Sequence, residues 1–162
     1  MGQYEIFSNS ELETIKLAKL LASISGVACN IYLRSDIGLG KTSFCRGFLR
    51  GLGYSGRVKS PSYSLVEAYV FSCLTVYHFD FYRLRNFEEV EYIGIRDYFN
   101  CCSLCLVEWP NLVENILPQE DISVLLEYHR SLFIRKITFR SYSFLGESIL
   151  KKLCIYGSMH VC

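Results

Sequence analysis

The sequence predicts an α/β fold, and three observations carry that expectation. Apolar stretches of strand length alternate with stretches of helical periodicity. One apolar stretch runs straight into a glycine-bearing loop, "LRSDIGLGKTSF" at 33–44, with a helix-forming segment behind it. Two later apolar runs end in an acid, Asp80 and Glu108. Ligands of open α/β sheets gather at such strand ends.

The elements follow in order. Tyr4 to Phe7 reads as a short strand, and Ser8 with Glu11, or Ser10 with Glu13, offers a capping box for the next helix. Leu17, Leu20, Leu21 and Ile24 recur at i, i+3, i+4 and i+7, so that helix lays one apolar face on a sheet. Val27 to Leu33 is a mostly apolar strand, and Thr42 to Arg50 forms a helix ended by Gly51-Leu52-Gly53. Ser64–Phe71 and Cys73–Asp80 read as an antiparallel pair joined near Ser72. In the second of these, Leu74, Val76, His78 and Asp80 share one face. The acid-rich start of 86–99 suits a helix N-terminus. Leu104 to Val107 is a buried strand, another strand ends at Tyr128, and a short helix is expected at Leu145–Leu153.

From Ser35 to Thr42 the loop nearly fits the phosphate-binding pattern G-x-x-x-x-G-K-[ST], with serine in place of the first glycine. Gly38 and Gly40, with Leu39 between them, let backbone N–H groups wrap around phosphate oxygens, and the start of a helix at Lys41, Thr42 and Ser43 adds its positive dipole end. Lys41 supplies a cation to the β/γ-phosphates, and the Thr42 hydroxyl is a Mg²⁺ ligand. The bland alternative is a glycine-rich turn with a capping threonine. A Gly-Lys-Thr entering a helix directly after an apolar strand favours the nucleotide site.

The two strand-end acids complete the chemistry. Glu108, at the tip of a buried strand and followed by Trp109-Pro110, has the Walker-B arrangement in which a carboxylate reaches Mg²⁺. Asp80 is placed to hold a metal or orient a water, or else to cap the next turn or pair with Arg83. His78 reads as a structural histidine.

Composition bounds the remainder. With 162 residues, 51% of them hydrophobic, the chain closes one sizeable core, so residues 1–162 are expected to form a single domain. A net charge of +1 provides no bulk field toward nucleic acid or anionic lipid. The longest uncharged run, Leu20 to Leu33, is too short to span a bilayer, and no secretory start is legible, so the expectation is a cytoplasmic chain without a membrane role. Eight cysteines in such a compartment argue against disulfides. Cys102-x-x-Cys105 has no second pair at zinc-finger spacing, and most of the cysteines read as small core residues.

The loop, "GRVKSPSYSLVE" at 56–67, "VYHFDFYRL" at 76–84, "IGIRDYF" at 93–99 and "CLVEWP" at 105–110 together resemble the TsaE (YjeE) family, ATPases of bacterial tRNA threonylcarbamoyladenosine synthesis. The resemblance runs over about residues 4–128. It implies a P-loop NTPase-like, three-layer fold with a mixed parallel/antiparallel central sheet. It also implies ATP or ADP and Mg²⁺ as ligands, slow hydrolysis stimulated by partners, and assembly with TsaD-like and TsaB-like proteins. The tRNA is then met only indirectly, through that complex.

Carried over residue by residue, the family's phosphate loop falls on Gly38, Gly40, Lys41 and Thr42, its metal acid on Glu108, and its H-F-D-x-Y-R acid on Asp80, with water orientation or general-base work as the implied role. Its S-P-T loop appears as Ser60-Pro61-Ser62, so Ser62 keeps the hydroxyl for a switch-like role near the γ-phosphate. Base contacts are implied near Ser10 and in a loop at 129–136, where "HRSLFIRK" is bulkier than the family's polar loop. The tail at 143–162 carries no legible function. Two alternatives remain at this stage: a degenerate P-loop docking scaffold without hydrolysis, and a small-molecule kinase. A GTPase is disfavoured because no Asn-Lys-x-Asp guanine reader occurs.

Overall fold

Four parallel strands form the middle of one seven-stranded sheet, and their C-terminal ends converge on the glycine-bearing loop. The structure, a computed structural model, describes residues 2–160. In chain order the strands are β1 (Gln3–Ser8), β2 (Asn30–Arg34), β3 (Val66–Val70), β4 (Thr75–Asp80), β5 (Ser103–Glu108), β6 (Ile122–His129) and β7 (Ser131–Ser141). The helices are α1 (Glu11–Ser25), α2 (Lys41–Gly51), α3 (Phe87–Tyr92) and α4 (Phe144–His160). The sheet order is β1-β7-β6-β2-β5-β4-β3. β6, β2, β5 and β4 are parallel, and antiparallel strands flank them on both sides, so the sheet is mixed.

Alternation along the strands sorts the core into two layers. Ile31 and Leu33 of β2, Leu104 and Leu106 of β5, and Val76 of β4 pack under α1, α2 and α4. Tyr32, Cys105, Val107 and Phe79 face the opposite side, toward Val90 of α3 and Ile95. A helical layer on one face and a thinner layer on the other give the three-layer architecture. His78 and Asp80 share the period-two face of Val76, which turns both toward the α2 side of the sheet.

Local chemistry sets the helix ends. Of the two candidate caps legible in the sequence, Ser10 with Glu13 is used: the Ser10 Oγ accepts from the Glu13 N–H at 3.2 Å, and the Glu13 carboxylate reaches back one residue before the cap, accepting from the Asn9 N–H at 2.7 Å. Gly47 and Gly51 let α2 meet α1 almost backbone to backbone. A Cβ at either would lie 2.8 Å from α1 backbone, at Ile15 and Lys19 respectively.

Three expectations are corrected by the structure. Residues 129–136 do not form a loop: a reversal at Arg130, in left-handed conformation at φ 56°, joins β6 to the long β7. The C-terminal helix runs over Phe144–His160 rather than stopping at Leu153: Ile149, Leu150 and Leu153 join the core, and one turn further Gly157 is buried against Tyr4 of β1. Fewer than half of the seven described cysteines are core residues, where most were expected: Cys29, Cys45 and Cys105 are buried, Cys73, Cys101 and Cys102 exposed, and Cys154 half-buried, while Cys162 lies outside the described residues. Among the described residues no helix is long and apolar enough to cross a membrane.

Candidate functional site

Register brings the two strand-end acids together. β4 and β5 pair in parallel with Asp80 opposite Glu108, and β2 pairs with β5 so that Leu33 stands opposite Glu108 just before the loop begins. Both carboxylates therefore sit at one height beside the start of α2. Asp80 is 4% exposed and Glu108 2%, so each is buried and needs partners.

The partners are specific. Glu108 Oε2 accepts a hydrogen bond from the Thr42 hydroxyl at 3.1 Å, and Glu108 Oε1 lies 2.8 Å from His78 Nε2. His78 is fully buried and holds the acid, which makes it structural, as expected, but structural to the site itself. Asp80 Oδ2 accepts from the Ser60 hydroxyl, and Oδ1 accepts from the Tyr82 N–H at 3.0 Å. The aspartate thus caps the following turn while it lines the cleft.

Lys41 is the cation of the site. Its ammonium donates to Ser35 O at 2.9 Å, Ser35 Oγ at 2.8 Å and Asp36 O at 2.9 Å, and it lies 3.9 Å from the centroid of the Trp109 ring. Burial pulls this lysine below its usual pKa, and the nearby Glu108 and Asp80 charges oppose the shift. Trp109 takes the left-handed conformation at φ 59°, rare for an aromatic residue, and this turns its ring over the lysine. Ser35 is absent from the positive-φ positions, so serine fits the first position of the loop without strain.

The start of α2 differs from the starts of the other capped helices. α1 is capped by Ser10 and α3 by Asn86, whereas α2 begins at Gly40, φ 100°, with no side-chain cap. Gly38 is also left-handed, at φ 82°. An uncapped first turn leaves N–H donors aimed outward, and a Cβ at either glycine would be strained. These residues open onto a cleft of about 330 Å³ whose wall includes Gly38, Gly40, Thr42, Ser62, Asp80 and Glu108.

The remaining residues singled out in the sequence divide. Ser43 also lines the cleft, and its hydroxyl donates to Glu11 at 2.6 Å, which ties the start of α2 to the start of α1. Ser10 is engaged as the α1 cap and is not part of the cleft wall. Leu39 is buried, and it contributes its carbonyl, which accepts from Arg135 Nε at 3.0 Å. Sequence reasoning missed Arg135, because the β7 strand that carries it was read as loop. The bond from Ser60 to Asp80 was not foreseen, since no spacing rule reveals it, and Arg83, read as a possible partner of Asp80, instead lines the cleft 4.3 Å from the Tyr63 ring centroid. A larger cleft of about 670 Å³ between β1 and α1 contains none of the loop, Asp80 or Glu108.

A family profile described as Threonylcarbamoyl adenosine biosynthesis protein TsaE matches residues 8–137. The chain belongs to the TsaE family. It is 44% identical over 136 residues to the tRNA threonylcarbamoyladenosine biosynthesis protein TsaE of Haemophilus influenzae, covering 83% of this chain and 85% of the relative. It is 38% identical over 115 residues to the Bacillus subtilis protein of the same name, covering 71% and 72%. The crystal structure of YdiB from Bacillus subtilis superposes with a TM-score of 0.83 at 30% identity, covering 96% of this chain and 97% of that one. Membership places this TsaE-family chain among the proteins of threonylcarbamoyladenosine biosynthesis and agrees with its P-loop-type mixed α/β fold.

Proposed function

We propose that this TsaE-family chain binds ATP with Mg²⁺, hydrolyses it slowly, and in doing so supports TsaD-like and TsaB-like partners in tRNA modification. The observation that carries the reading is the Thr42–Glu108 hydrogen bond beside an uncapped helix start and a buried lysine. A hydroxyl and a carboxylate on adjacent elements are the two protein ligands that a phosphate-bound Mg²⁺ uses in P-loop enzymes. The two left-handed glycines and the uncapped N–H groups fit the phosphates.

Each residue then has a separable task. Backbone N–H groups from Gly38 to Ser43 hold phosphate oxygens, and Lys41 neutralises the β/γ-phosphates. Thr42 and Glu108 would hold Mg²⁺, with His78 fixing the carboxylate from behind. When bound, the ion draws charge from the γ-phosphoryl group. Asp80, held by Ser60 and the Tyr82 N–H, orients the attacking water or accepts its proton. Ser62, on the cleft wall, would sense the γ-phosphate, and the base would lie beyond that wall, toward the α1 start that Ser43 ties to α2 through Glu11.

The test is phosphate release from ATP by the purified chain, alone and with TsaD-like and TsaB-like proteins, together with co-purification of those proteins. We expect co-purification, slow release alone, and faster release in the complex. No co-purification and no stimulation with active partners would remove the reading, and transfer of the phosphoryl group to a small acceptor would replace it with a kinase.

A further inference from the structure

Behind the Thr42–Glu108 pair, Glu108 and His78 meet a third donor, Cys45, that the ATP chemistry does not use. Cys45, on α2 one turn beyond Lys41, His78 on β4 and Glu108 on β5 are all buried, and one ligand atom from each lies within 4.8 Å of the others. We infer that Cys45, His78 and Glu108 form an inhibitory site for a thiophilic divalent cation, Zn²⁺, which takes Glu108 away from Mg²⁺.

The donor set is the argument. Thiolate, imidazole and carboxylate are Zn²⁺ ligands, and three protein ligands with one open position is a common zinc arrangement. Metal–ligand bonds of about 2.0–2.3 Å place the donor atoms of a tetrahedral site roughly 3–4 Å apart, so the three side chains need only a small inward adjustment. Mg²⁺ wants oxygen ligands alone, so Cys45 and His78 discriminate against it.

The cluster is also unsettled as it stands. His78 Nδ1 is a buried nitrogen with no hydrogen-bond partner among the described residues. A dication bound among the three side chains takes Cys45 as the thiolate. In the binding step the Cys45 S–H bond breaks, a sulfur–zinc bond forms, and one proton leaves to solvent. His78 binds through one ring nitrogen as the neutral imidazole and keeps its single N–H proton on the other. Glu108 keeps its charge. Entry is from the nucleotide cleft, whose wall includes Glu108.

The binding half of this inference stands on the cluster alone, while the competition half rests on the proposed Mg²⁺ role of Glu108. The test titrates Co²⁺, a spectroscopic stand-in for Zn²⁺, into the reduced, nucleotide-free full chain, followed by Zn²⁺ displacement. Expected are one Co²⁺ per chain, tetrahedral visible bands and a thiolate charge-transfer band in the near ultraviolet. Cys45→Ser should lose the band, and both Cys45→Ser and His78→Asn should weaken binding at least about tenfold. The double variant Cys101→Ser/Cys102→Ser, which removes the exposed adjacent thiols, should behave as the parent. A charge-transfer band that survives in Cys45→Ser, or its absence from the parent, overturns the site.

In the second arm, Zn²⁺ should raise the Mg²⁺ concentration needed for ATP binding in the parent and leave Cys45→Ser unaffected. Equal Zn²⁺ sensitivity in both proteins overturns the competition. ATP binding that is indifferent to Mg²⁺ in both would instead refute the Mg²⁺ role of Glu108, with the Co²⁺ spectra still deciding the site.

Discussion

Asp80 and Glu108 stand directly opposite one another on parallel β4 and β5, yet they keep entirely different company. Glu108 is held by Thr42 and His78, and Asp80 by Ser60 and the Tyr82 N–H. Equal height with separate partners fits the separate tasks proposed for the two acids, one toward the metal and one toward water.

Their substitutions should therefore separate. Glu108→Ala is expected to weaken Mg²⁺-dependent ATP binding about tenfold or more, whereas Asp80→Ala keeps binding within a few-fold and loses most hydrolysis. Trp109 fluorescence reports the binding without a label, since its ring lies 3.9 Å from the Lys41 ammonium. Wild-type hydrolysis in both variants would show that the chemistry lies elsewhere.

Ser35→Gly tests the departure from the phosphate-loop pattern. Ser35 has no positive φ, so glycine relieves no strain, and it removes a hydroxyl that lies 2.8 Å from the Lys41 ammonium. The expected result is ATP affinity within about threefold of the parent, because the lysine keeps its carbonyl partners. Stability should drop by about 0.5–1 kcal/mol from the freer unfolded chain. A large gain in affinity would mean that the serine had been distorting the loop.

Gly47 tests the seam beneath the site. Its missing Cβ would sit 2.8 Å from the Ile15 carbonyl oxygen and 3.0 Å from the Ala18 Cβ. Gly47→Ala must push α2 away from α1, and we expect a loss of about 1–3 kcal/mol in urea unfolding, despite the better helix propensity of alanine. An unchanged or raised midpoint would show that the two helices are not in backbone contact.

Thiol labelling tests the burial pattern. Cys73, Cys101 and Cys102 should react quickly in the native chain, while Cys29, Cys45 and Cys105 should react only on unfolding. Burial pushes the Cys29 thiol up to about 12, so raising the pH from neutral to mildly alkaline generates little thiolate there. Peptide mapping after brief alkylation reads each site, and rapid modification of Cys29 or Cys45 would contradict the core described.

Much of this was legible beforehand. The strand–loop–helix around Lys41, the strand-end positions of Asp80 and Glu108, and the shared face of His78 and Asp80 all follow from local spacing. The β6–β7 hairpin was not legible, because Arg130 occupies its left-handed turn position, where glycine or asparagine gives the usual signal. With β7 went Arg135 and its bond to the loop carbonyl of Leu39. The His78–Glu108 and Ser60–Asp80 bonds join residues 30 and 20 positions apart, and only strand order and register bring them together. The conformation of Ser35 was equally hidden, since an altered motif does not state its φ.

The most direct test of the central claim is calorimetric titration of ATP into the parent and Lys41→Ala, each with Mg²⁺ and with a chelator. We predict saturable binding by the parent that depends on Mg²⁺. Removing a buried cation from the phosphates is worth about 1.5–3 kcal/mol, so Lys41→Ala should bind roughly 10- to 150-fold more weakly. No binding by the parent, or equal binding by both proteins, would contradict the nucleotide site.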